Sequence, residues 1–185
     1  MSAREFDLDL LTNKTLFHKI NAQSSLIEEL FHDLANEFPQ NELLKFHADS
    51  KGTKVSKGYN LENLPYQVLD IVRDFDDQTG FNIRVLNWWG NGLFIFIYFG
   101  NLTFVKNSRS IKTLLKTFAD CNHPSPWAYG QIIGNHGILS SSNIQADSEK
   151  KDFYQIFKQI DLDQEFSKSH LMLKREIRFI LDNHN

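Results

Sequence analysis

The chain predicts an α+β fold: an antiparallel β-meander of three to five strands packed with five or six helices, as a single domain over residues 1–185. Three observations carry this. Phe81, Ile83 and Val85 alternate with polar neighbours, and beyond Gly90-Asn91-Gly92 the run 93–99 is apolar on both faces. Two stretches, 26–38 and 166–180, repeat apolar residues at helical spacing. The length of 185 residues, with 41% hydrophobic and 23% charged side chains, suits one buried core and argues against disorder.

From the start of the chain, Phe6, Leu8 and Leu10 alternate with Glu5, Asp7 and Asp9, which reads as a short strand or as the leading turn of a helix. A helical piece follows around Leu16, Phe17 and Ile20. Ser25 and Glu28 have the spacing of a capping box, so a new helix is expected there, with Leu30, Phe31 and Leu34 on its buried stripe and Pro39 ending it. The stretch 43–58 is ambiguous and could hold a hairpin turning at 49–52. A second helix is expected over 64–75, with Asn63 as cap and Pro65 in its first turn.

The sheet should follow as three consecutive strands, around 81–85, 93–99 and 102–105, the last entered through Gly100-Asn101. A third helix is expected over 108–121, burying Ile111, Leu114 and Phe118. Residues 122–142 are the least regular, with 129–133 a possible strand, and a helix capped by Asp147 is expected over 148–160. The last helix carries Phe166, His170, Leu173, Ile177 and Ile180 as an a/d seam, which fits packing inside the domain or against a second copy; His170 reads as a core histidine.

Bulk properties narrow the function classes. A net charge of −3 gives no support to broad capture of nucleic acid, and the run 93–99 is too short to span a bilayer as a helix, so neither a membrane nor a nucleic acid is the expected partner. One cysteine cannot form an internal disulfide, and Met-Ser-Ala-Arg-Glu-Phe is not the start of a secretory signal, so a cytoplasmic location is expected.

Candidate chemistry clusters in the irregular segment. Cys121, His123 and His136 are metal-ligand types, but no paired ligand spacing accompanies them, so neither a metal nor another cofactor is expected. His123, Asn135 and His136 could instead line a pocket. Asp74, Asp76 and Asp77 lack the glycine and glutamate of a calcium loop and read as a solvated helix end. Lys106, Arg109, Lys112 and Lys116, with Lys51, Lys54 and Lys57, read as solvated cations more readily than as a phosphate site.

Trp88 and Trp89 must point to opposite sides of a strand; with Trp127 and Tyr129 they form the candidate recognition surface. With 16 Phe, 3 Trp and 5 Tyr the chain has aromatic side chains enough for both a core and an interface. No catalytic set emerges. The expected function is therefore a non-enzymatic interaction protein (an adaptor, assembly factor or subunit of a larger cytosolic complex) with a protein partner or a homodimeric copy of itself. The alternative is an enzyme or small-ligand binder with a pocket built from residues 121–137.

Overall fold

The computed structural model describes residues 5–121, 123–134 and 152–184. Among them, six antiparallel strands form one sheet, accompanied by seven helices. The helices are α1 (Leu8–Leu11), α2 (Lys14–Asn36), α3 (Gln40–Phe46), α4 (Asn101–Lys106), α5 (Ser108–Leu114), α6 (Tyr129–Gly134) and α7 (Phe166–Asp182). The strands are β1 (Lys54–Leu61), β2 (Leu64–Asp70), β3 (Phe81–Trp88), β4 (Gly92–Gly100), β5 (Ala119–Asp120) and β6 (Phe153–Ile160), in the spatial order β1-β2-β3-β4-β6-β5. The sheet thus exceeds the expected three to five strands.

The first segment is helical. Asp7 caps α1 through the Leu10 amide, and Asn13 caps α2 through the Leu16 amide at 2.9 Å. The expected start at Ser25 is corrected: α2 runs through it without a break, because nothing between Ile20 and Leu26 interrupts helical spacing. Glu28, expected to close a capping box, pairs instead with Lys57 of β1 at 3.0 Å. The ambiguous stretch 43–58 is not a hairpin; it contains the end of α3, a loop and the start of β1.

The expected helix over 64–75 is β2. Glu62 and Asn63, at φ 50° and 67°, form the two-residue left-handed turn that matches strand twist, so Asn63 turns a hairpin rather than capping a helix. Val68, Leu69, Asp70, Ile71 and Val72 are all buried, and a strand covered on both faces mimics a helical stripe in sequence. The same ambiguity corrects the helix expected over 148–160. Within the described residues this stretch holds β6, paired with β4 along its whole length; Asp147 and 148–151 lie outside them.

β3 and β4 pair as expected, joined through Gly90 and Gly92, both at positive φ. The third strand of the meander is corrected to α4. At Gly100 the chain meets the loop 76–80, whose carbonyls take its amides: Gly100 N to Gly80 O, Asn101 N to Asp77 O and Leu102 N to Gln78 O, each 2.8 Å. Those bonds satisfy donors that open a helix and have no partner inside it. The expected third helix is shorter, α5 alone, and the chain then joins the sheet edge as β5. Residues 129–133 belong to helix α6 rather than a strand.

One sheet face carries Leu69, Ile83, Val85, Ile95, Ile97 and Ile156 and packs in one core with Phe31 and Leu34 of α2 and with Leu173, Ile177 and Ile180 of α7. The seam of the last helix is therefore buried within the chain's own core; His170 on it is only half-buried, not a core residue. On the other face Val68, Leu86, Trp88, Phe94, Phe96 and Phe157 pack with Tyr129 and Ile132 of α6. β4 is thereby covered on both sides. No helix among the described residues is long and apolar enough to cross a membrane.

Candidate functional site

The second sheet face holds a polar cluster set among aromatic rings. Asp70 and Arg84 are register neighbours on β2 and β3. Arg84 Nε donates to Asp70 Oδ1 and its Nη2 to Asp70 Oδ2, both at 2.8 Å, while Nη1 donates to the Tyr129 hydroxyl. Asn82 donates to Asp70 Oδ1 at 2.8 Å and accepts from the Arg73 amide. The guanidinium lies 4.7 Å from the centre of the Trp127 ring and 5.4 Å from that of Phe75. Burial alone would lower the Arg84 pKa, but the bonds and charge of Asp70 and Tyr129 outweigh it and hold the group firmly protonated. Burial also raises the Tyr129 hydroxyl above the usual phenol range.

A narrow cleft opens between Arg84, Phe96, Tyr98, Trp127 and Gln155. Gln155 Oε1 is buried there without a hydrogen-bond partner, and the space is of the order of one water. Tyr98 closes one end by donating to Asp77 Oδ1 at 3.1 Å. Chemically the cleft offers one acceptor and aromatic walls; the ion pair within it is already neutralised.

Of the expected recognition surface, Trp127 is exposed, Trp89 half-buried, and Trp88 and Tyr129 buried. The two adjacent tryptophans do diverge. Trp88 Nε1 donates to the Leu61 carbonyl on the α6 side, whereas Trp89 Nε1 donates to Gln67 Oε1, whose amide nitrogen bonds Ser24 of α2. Trp127 and Tyr129 meet around Arg84.

In the 121–137 segment, Cys121 is buried under α6 and its amide donates to the Gln155 carbonyl. His123 Nε2 lies 2.6 Å from Gln131 Oε1, and its Nδ1 accepts from the Ser125 amide at 3.1 Å. Asn135 and His136 lie outside the described residues, so the expected convergence of His123 with His136 does too. The structure brings Trp127 and Tyr129 from this segment to the cleft, but not His123.

The aspartates expected at a helix C-terminus sit instead in the loop joining β2 to β3. Asp76 caps the turn through the Gln78 and Thr79 amides, which hold its carboxyl below the usual range. Asp74 is buried and bonds His47 Nε2 at 2.8 Å, with the Lys51 ammonium 3.5 Å away. The side-chain ligand atoms of His47, Asp49 and Asp74 lie within 4.8 Å of one another, a grouping that spacing in sequence does not reveal. Of the expected basic set, Lys51 and Lys57 are engaged with Asp74 and Glu28, while Lys106, Arg109, Lys112 and Lys116 are exposed.

An exposed apolar arm is formed by α1 and the first turns of α2. Phe6, Leu8, Leu10, Leu11, Leu16, Phe17, Ile20 and Leu26 are between 36% and 86% exposed. Their fractional exposures amount to about four whole residues, spread round the arm rather than over one face, since Phe17 and Leu26, nine positions apart, lie on opposite sides of α2. The helical spacing of Leu16, Phe17 and Ile20 was legible in sequence, but that they stay partly open to solvent was not. No family model matches the chain, and neither curated proteins nor solved structures give a match.

Proposed function

We propose that the chain is a non-enzymatic interaction protein, an assembly factor or subunit that docks onto a protein partner through its N-terminal arm. The apolar area of that arm carries the reading. Exposed apolar side chains gathered on one segment mark a protein interaction site. The arm is also built to present this surface: α2 is anchored by Leu30, Phe31 and Leu34 in the core and by Glu28–Lys57, while its earlier turns extend beyond those anchors. A helix with an uncovered apolar stripe is the geometry of a helix-in-groove partner.

The test is affinity purification of the tagged full chain beside the variant Phe17→Ser/Ile20→Ser, analysed by native mass spectrometry. A stoichiometric companion chain, itself or another protein, should be present with the wild type and lost with the variant, while thermal unfolding stays unchanged. Equal recovery with both would sink the reading.

A further inference from the structure

We infer that the arm's occupant is the arm of a second copy, paired antiparallel about a two-fold axis near the Thr12–Asn13 corner. The inference rests on the arm being an interface, and two further observations select this occupant.

The first is the distribution of charge. The α1 half of the arm carries Glu5, Asp7 and Asp9, and the opening turns of α2 carry Lys14, His18 and Lys19. All are exposed, and none has an ion-pair partner among the described residues. A two-fold axis at the corner sets the acidic half of each copy against the basic half of the other, twice over. A parallel pairing would set like against like, which costs specificity and affinity. Apolar residues stand on both sides of the corner, Phe6 and Leu10 before it and Leu16 and Ile20 after it. One patch that is complementary to itself is what an isologous dimer requires.

The second observation is availability. The apolar side chains of the arm are exposed, Leu16, Phe17 and Ile20 on adjoining positions of α2 among them. The other amphipathic candidate, α7, is not available, because Leu173, Ile177 and Ile180 are fully buried against the sheet and α2.

The experiment is sedimentation equilibrium on the full chain at micromolar concentrations and moderate salt. Wild type should have the mass of a dimer. Glu5→Lys/Asp9→Lys leaves Asp7 and makes the arm mostly basic, and Lys14→Glu/Lys19→Glu makes it mostly acidic; each alone should weaken self-association about tenfold or more. Mixed one to one, the two variants should associate with each other. All four positions are exposed, and circular dichroism confirms that each variant folds. A monomeric wild type, a dimer indifferent to both reversals, or a mixture that fails to associate overturns the inference. If wild type is monomeric yet Phe17→Ser/Ile20→Ser still abolishes capture of a different stoichiometric protein, the docking reading stands and only self-pairing falls.

Discussion

Asp70 and Arg84 face each other across β2 and β3, and Arg84 donates two parallel hydrogen bonds of 2.8 Å to the Asp70 carboxylate beside the rings of Phe75 and Trp127. Both side chains are largely withdrawn from water. Removing one partner therefore leaves an uncompensated charge. Asp70→Ala should lower stability by about 3–5 kcal/mol in denaturant unfolding, whereas the apolar pair Asp70→Leu/Arg84→Met should cost much less. Arg84→Lys keeps the charge but loses the fork and the stacking, so it should not rescue wild-type stability.

His184 stacks flat on Phe81, with ring centres 3.6 Å apart and planes within 5°. Burial, with smaller contributions from His47 and Lys106, depresses its pKa to about 3, so the folded chain holds it neutral. The unfolded chain takes up that proton first as pH falls. Stability from this residue is thus complete above the ordinary histidine range and is lost on acidification from there towards pH 3, by at most about 1.4 kcal/mol per pH unit. His184→Phe keeps the stack and removes the proton site. Its unfolding free energy should fall less steeply than wild type between pH 7 and 4; parallel slopes would contradict the assignment.

Gly100 leaves the sheet against the loop before β3. A Cβ there would stand 2.5 Å from the Gln78 carbonyl carbon and 2.7 Å from Asp76 O, both backbone atoms. Gly100→Ala should destabilise by about 1–3 kcal/mol, read from the urea midpoint. Gly134→Ala is the control, since no atom of the described residues lies within 4 Å of its Cβ position.

Trp88 and Trp89 differ in environment although adjacent. Trp88→Ala empties a buried site on the α6 face and should cost about 3–5 kcal/mol. Trp89→Ala removes a half-buried ring and its bond to Gln67, and should cost clearly less. With the arm as the interface, Trp89→Ala should leave assembly unchanged, which sedimentation equilibrium would show.

What the sequence determined by itself is the set of elements whose two sides differ or whose turns are marked. β3 and β4 are legible because glycines stand where the chain must adopt positive φ, and α7 because its apolar spacing holds over the helix. β2 and β6 were decided only by the tertiary structure. A strand buried on both faces has no alternation, so Leu64, Val68 and Val72 fit a helix as well as a strand until neighbours on either side supply hydrogen bonds. The same holds for the candidate sites. Trp127 and Tyr129 were visible as residue types, but not that they enclose Arg84, 45 positions from Tyr129 in the chain. His47 meets Asp74 only because the loop after α3 is brought beside the loop after β2. The exposure of Leu16, Phe17 and Ile20 is likewise a tertiary fact: periodicity says which residues share a helix face, and only the packing of everything else says whether that face is covered.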